Sequence, residues 1–210
     1  MVDFIKAIER PFTDFKKFML GLLFSVIPIV NFIAMGYELE CAKTANKKQF
    51  LLPEWKNYGK LFKRGLVSFC ISVIYLVIPL LLIIAGLGRA LLEMFKENPN
   101  PEILVQVVIQ NWIVLLIAFL LLIFVSYVLY SANINYAIKG RFKDGFSLEV
   151  FRKAFTWKYF MVWFIGIFYY LFWVLLLSFI PYVGGVIAGF IGGVTLFTLL
   201  GQLYSEIKQL

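Results

Sequence analysis

The uncharged stretches of this sequence constrain its fold more than any other feature. Four of them, Phe18 to Tyr37, Leu66 to Gly88, Trp112 to Ile138 and Tyr159 to Tyr204, contain no Asp, Glu, Lys or Arg. A helix needs roughly 18 or more apolar residues to cross about 30 Å of hydrocarbon. The last stretch, 46 residues long, has room for two crossings and a tight turn. Within hydrocarbon every backbone N–H and C=O must be paired inside its own segment. The chain is therefore read as an all-α integral membrane protein, a single transmembrane domain over residues 1–210.

The charges between these stretches give the threading. Of the twenty Lys and Arg, eighteen lie in Lys6–Lys17, Lys43–Arg64, Lys139–Lys158 and at Lys208. Positive residues are retained on the cytoplasmic side of a membrane, so these stretches are expected inside. A single crossing over Phe18–Tyr37 would put two strongly basic stretches on opposite sides. A turn at Pro28 removes the conflict, and proline breaks a helix by removing a donor and clashing with the preceding turn. The expected bundle has about six helices, near residues 12–27, 29–44, 66–88, 112–138, 159–179 and 182–206, with two proline-turned hairpins at Pro28 and Pro181. Pro79 should kink the third helix. The segment from Arg89 to Asn111 holds only two basic residues and the turn-forming Asn98-Pro99-Asn100-Pro101, and is expected outside. Both termini then lie in the cytoplasm.

The net charge of +8 is accounted for by this bias. It forms no separate basic domain, so no nucleic-acid partner is expected, and anionic lipid headgroups are the natural partners of the basic face. Residues Met1 to Lys17 are amphipathic and mixed in charge, without an apolar core or a small-residue cleavage site, so no cleavable signal peptide is expected. There is no His in the chain, and Cys41 and Cys70 lack ligand spacing. The commonest general base and the commonest metal ligand are thus missing. No nucleophile constellation or phosphate loop appears. The expectation is a non-enzymatic protein without cofactor or metal.

The two hairpins look related. Ile27-Pro28-Ile29-Val30 is echoed by Ile180-Pro181-Tyr182-Val183, which fits a parallel repeat and equally fits chance likeness among apolar residues. Two basic stretches have the pattern of short amphipathic interfacial helices: Phe4, Ile8, Phe12 and Phe15 in one, and Trp55, Tyr58, Leu61 and Phe62 in the other. Packing as a cap against the bundle explains the same pattern.

Three sets of residues stand out inside the apolar stretches. Gly185, Gly189 and Gly193, spaced by four, would let another helix approach closely, from this chain or from a second membrane protein or copy. Glu38 and Glu40 are candidates for a polar or ion-handling role, because an acid at membrane depth is costly. The plainer alternative places both at the interface, paired with Lys43 or nearby basic residues. Asn31, Ser131, Asn133, Asn135, Gln202 and Glu206 are expected to make interhelical or interfacial hydrogen bonds.

The sequence Pro28-Ile29-Val30-Asn31-Phe32-Ile33 with Gly36-Tyr37, then Leu52-Pro53-Glu54-Trp55 and Gly59-Lys60-Leu61-Phe62-Lys63-Arg64-Gly65-Leu66, resembles the prokaryotic membrane family known as domain of unknown function 4013. In that family the Trp is often followed by acidic residues, where Lys56 and Asn57 stand here. The resemblance implies a bacterial or archaeal polytopic protein and supplies no functional residues. The role expected from these readings is a membrane scaffold or accessory subunit binding lipid or another membrane protein. A small oligomeric channel or transporter is the alternative.

Overall fold

The computed structural model describes residues 2–96, 101–181 and 183–207, which contain helices and no strand. The helices are α1 (Phe4–Glu9), α2 (Phe15–Val26), α3 (Asn31–Asn46), α4 (Tyr58–Met94), α5 (Pro101–Gln110), α6 (Trp112–Lys139), α7 (Leu148–Ala154), α8 (Trp157–Leu177) and α9 (Val183–Glu206). Short 3₁₀ turns over Arg10–Phe12 and Phe142–Phe146 join α1 to α2 and α6 to α7.

Local chemistry sets several boundaries. The side chains of Asp3, Asp14 and Thr156 accept the backbone N–H groups of Lys6, Lys17 and Tyr159, satisfying otherwise orphaned donors at the starts of α1, α2 and α8. The chain reverses between α2 and α3 through Pro28 and Ile29, the latter at φ 69°. A second reversal, through Ser178–Pro181, separates α8 from α9.

By length and composition, four helices are able to cross a membrane: α4, α6, α8 and α9. On the same measure α2 and α3, with 12 and 16 residues, are short. They rise only about 18 and 24 Å. Other boundaries also differ from expectation. Helix α4 runs past Gly88 to Met94 and contains Pro79 without interruption. The segment read as an external turn contains α5, and Asn98 to Asn100 lie outside the described residues. Trp55 belongs to no amphipathic helix. It sits in irregular chain before α4 and is 7% exposed.

The chain falls into two compact units, Met1–Ile71 with Tyr130–Leu210, and Ser72–Leu129. The larger unit is built around α9, which packs along α8 and α3 and is touched by α1 and α2. Its core gathers Tyr37, Cys41, Leu52, Trp55, Leu61, Phe190 and Val194, with Phe18, Leu22, Phe24 and Ile33 against them. In the smaller unit α4 and α6 approach at Gly86, which faces Leu115 and Val114. Most large apolar side chains of that unit are exposed, Leu81, Leu92 and Phe119 among them.

Candidate functional site

The candidate site is the polar seam along α9, and it begins at Arg10. Ala7 and Arg10 turn inward, while Ile5, Ile8 and Phe12 remain exposed. The Asp3 N–H donates to Gln202 Oε1 (2.8 Å), and Gln202 Nε2 donates to the Asp3 carbonyl (3.2 Å). Arg10 is fully buried. Its Nη1 donates to the Cys41 carbonyl (2.8 Å) and the Thr198 hydroxyl (3.0 Å), and its Nη2 to the Thr44 hydroxyl (2.5 Å) and the Leu51 carbonyl (3.0 Å). No carboxylate is among these partners. Cys41 and Thr44 lie in the last two turns of α3, where unpaired carbonyls favour positive charge.

The irregular segment before α4 closes over the same place. Lys17 Nζ donates to the Leu52 carbonyl (3.1 Å) and pairs with Glu54 (2.7 Å). The Tyr37 hydroxyl donates to the Pro53 carbonyl (2.9 Å). Trp55 stacks on Tyr37 with centroids 3.7 Å apart, and its Nε1 donates to the Lys17 carbonyl (3.0 Å). The hydrogen bond and ion pair with Lys17 lower the Glu54 pKa below its ordinary value. Residues Leu52 to Trp55 thus form a latch across the start of α2 and the middle of α3.

The two acids of α3 part company. Glu40 pairs with Arg64 of α4. Glu38 turns to α9, where a Cβ added at Gly193 would lie 2.5–2.8 Å from its carboxyl atoms. The glycine series is closed unevenly. Gly193 is covered by Glu38, whereas a Cβ added at Gly185 or Gly189 meets nothing within 4 Å. Close packing falls instead on Gly192, under the Tyr170 ring, on Gly201, against the Ala42 backbone, and on a pair from other helices. Gly36 of α3 and Gly65 of α4 lie against the backbones of Leu61 and Phe32, so neither has room for a side chain. Pro28 and Pro181 lie in the two reversals between helices.

The polar residues near the end of α6 are used within the larger unit. Ser68 donates to Asn133 Oδ1 (2.8 Å), Ser131 to the Val150 carbonyl (2.9 Å), and Asn135 Nδ2 to the Ser147 hydroxyl (2.8 Å). The Tyr204 hydroxyl reaches both Asn135 and Glu149. Glu149 also pairs with Lys139 and Lys153, and the Lys153 ammonium lies 3.0 Å from the Tyr204 ring centroid. Burial pushes the Glu149 carboxyl up, but the hydrogen bonds from Lys139, Lys153 and Tyr204 outweigh it and lower its pKa. Arg141 likewise lowers the Asp144 pKa through a side-chain hydrogen bond. An open cavity of about 410 Å³ lies beside this network, lined by Asn46, Lys139, Glu149, Lys153, Tyr204 and Ser205 among others.

Arg10, Lys17 and Tyr37 are the residues that sequence reasoning missed. Arg10 was counted only among the flanking charges. The available signal was its position on the Asp3–Ala7–Arg10 face, opposite the aromatic stripe. Of the expected polar residues, Ser131, Asn133 and Asn135 lie together at one end of α6, whereas Glu38 and Glu40 do not share a partner.

A protein of Methanocaldococcus jannaschii, described as uncharacterized, is 32% identical over 139 residues, covering 61% of this chain and 43% of the relative. The chain therefore spans less than half the length of that relative. No solved structure matches it. Residues 19–200 match the family described as protein of unknown function, DUF4013, and the chain belongs to that family.

Proposed function

We propose that the chain is a prokaryotic multi-pass membrane protein with a non-enzymatic role, a scaffold or accessory subunit that engages anionic lipid headgroups or another membrane protein. The observation that carries this reading is the latch. Arg10 ties the first residues to Cys41 of α3, Thr198 of α9 and the Leu51 carbonyl, while Lys17 ties Leu52, Glu54 and Trp55 to the start of α2. Polar groups there stabilise one fixed surface, on which Lys47, Lys48, Lys56, Lys60, Lys63, Lys143, Arg152 and Lys158 stay exposed. A rigid surface rich in ammonium and guanidinium groups suits anionic headgroups, each Lys or Arg contributing about 1 kcal/mol near an acidic leaflet.

Six membrane segments are proposed, with the basic surface and both termini cytoplasmic. The packing of α2 along α9 supports this count despite the short helices. Asp3 lies beside Gln202, and Gly21 lies beside Phe190. From that second contact the chain rises about 8 Å to the end of α2 and about 10 Å to the start of α9. Both proline turns then stand near one level, opposite the basic surface. The open face at Gly185 and Gly189 is proposed for close approach of a partner helix, in this chain or another.

The test is affinity isolation from native membranes in a mild detergent, with identification of bound proteins and lipids, beside reconstitution in liposomes. A stoichiometric membrane-protein partner or retained anionic lipid, with no ion flux, is the expected result. Reproducible flux from the purified protein would favour the channel or transporter reading instead.

A further inference from the structure

One carboxyl in the seam has no cation to neutralise it. Glu40 is held by Arg64, and the four hydrogen bonds of Arg10 go to carbonyls and hydroxyls. Among the described residues Glu38 has no hydrogen bond or ion pair. Its side chain is partly exposed. Its carboxyl lies flat on Gly193, ten residues into α9 and thus about 15 Å from the start of that helix.

The position is built from four helices. Adjacent glycines open α9 on two sides: Gly193 to Glu38 of α3, and Gly192 to the Tyr170 ring of α8. Tyr130 of α6 packs on Phe197 one turn further along. Among the described residues neither tyrosine hydroxyl has a hydrogen bond. The other titratable groups around Glu38 are the Cys41 thiol and, beyond the Cys41 carbonyl, the Arg10 guanidinium. A lone carboxylate is too few anionic ligands for a divalent ion, which needs six or more oxygens. In apolar surroundings an unpaired carboxylate is neutralised rather than left charged.

We propose that Glu38 binds one proton while its carboxyl lies on Gly193 of α9. Protonation removes a charge that no cation offsets there. Loss of the proton leaves a charge that must move off Gly193 toward water or a cation. The site is a binding position for one proton and is separate from any contact the basic surface makes.

The experiment is labelling of the full-length protein, in native membranes, with dicyclohexylcarbodiimide, a reagent that enters apolar sites and adds to protonated carboxyls. Peptide mass spectrometry at pH 7 should find the N-acylurea on Glu38 and none on Glu40. Gly193→Ala should reduce labelling by at least severalfold. An unlabelled Glu38 at pH 6 to 8 would overturn the proposal. Protection by Na⁺ or K⁺, against choline at equal ionic strength, would replace the proton with that ion and overturn it as well. Thermal unfolding gives an independent readout: Glu38→Gln, a neutral isostere, should melt within about 2 °C of the parent at pH 7. A large drop in that variant would mean that the charged form is the one the seam requires.

Discussion

A guanidinium with no exposed surface must recover from neighbouring acceptors the hydration it gives up on burial. Arg10 does so in large part through two carbonyls and two hydroxyls, from α3, α9 and the segment before α4, with its Nε left without a partner among the described residues. The planar fork of arginine is what permits this, because its donors point in fixed, divergent directions. The compact ammonium of lysine cannot reach all four acceptors. Arg10→Lys should therefore cost about 2–4 kcal/mol, since buried acceptors left unmet cost roughly 1–3 kcal/mol each. The measurement is denaturant or thermal unfolding in detergent, with hydrogen exchange on Leu51–Trp55 showing whether the latch has opened. The exposed Arg152→Lys should stay within about 0.5 kcal/mol of the parent. The role of Arg10 was hidden from the sequence because the helix that carries it is inverted. Phe4, Ile8, Phe12 and Phe15 mark a clear stripe, but Ile8, Phe12 and Phe15 are exposed and the polar Asp3–Ala7–Arg10 face is the one packed on α9. Sequence periodicity finds a face and does not say whether lipid or protein covers it.

The same inversion holds for whole helices. The buried share of the apolar stretch is 67% in α9 and only 11% in α8 and 17% in α4 and α6. Helix α9, the least apolar of the four, is the most enclosed, as expected where lipid is the solvent and small or polar residues make the interior contacts. Apolar runs in the sequence therefore located α4, α6, α8 and α9 well, while α3, the other helix packed along α9, was visible mainly through the charge argument at Pro28. Of the series Gly185, Gly189 and Gly193, a neighbour lies close to Gly193, and neighbours lie comparably close to Gly21, Gly36, Gly65, Gly166, Gly192 and Gly201. Only a partner's position decides which glycine is required. Gly65→Ala should push α3 from α4 and lower stability by about 2 kcal/mol or more, as overpacking does. Gly189→Ala should be neutral or gain up to about 1 kcal/mol, since Gly is disfavoured inside a helix. Thermal unfolding of the two purified variants checks this, and a large loss in Gly189→Ala would mean that another helix fills that face.

Helix α7 is fixed by charge, which gives it a pH dependence. The pKa of Glu149 is lowered by its hydrogen bonds from Lys139, Lys153 and Tyr204, and that of Asp144 by Arg141. A carboxyl whose folded pKa lies below its unfolded value stabilises the fold above the unfolded value, near 4 for Asp and Glu. That contribution is lost as the pH falls through the folded pKa. Stability should thus hold from pH 7 to about 5 and decline below it. Glu149→Gln should be less stable than the parent at pH 7 and should lose less on acidification. Melting curves at pH 7, 5 and 4 give the comparison, and an equal acid loss in both proteins would remove Glu149 from the account.

At the scale of the whole molecule, the decisive quantity is the side on which each connection lies. The α2–α3 hairpin returns the chain to the side it left, whichever depth it reaches, so Lys47 and Lys143 share a side with Lys6 in the proposed arrangement. Depth is a separate matter. If α2 keeps pace with α9 from the Asp3–Gln202 contact to the Gly21–Phe190 contact and beyond, Ile29 emerges near the level of Pro181, on the outer face. Cysteines placed singly at Lys47, Lys143, Glu102 and Ile29, each exposed in the parent, test both statements in a background with Cys41→Ala and Cys70→Ala. A membrane-impermeant maleimide applied to intact cells should label Glu102→Cys and Ile29→Cys. Lys47→Cys and Lys143→Cys should react only after permeabilisation. External labelling at Lys47 would mean that Phe18–Tyr37 crosses once, which reverses every later connection. Failure to label Ile29→Cys, with the other three behaving as expected, would make the hairpin re-entrant and leave four full crossings, those of α4, α6, α8 and α9.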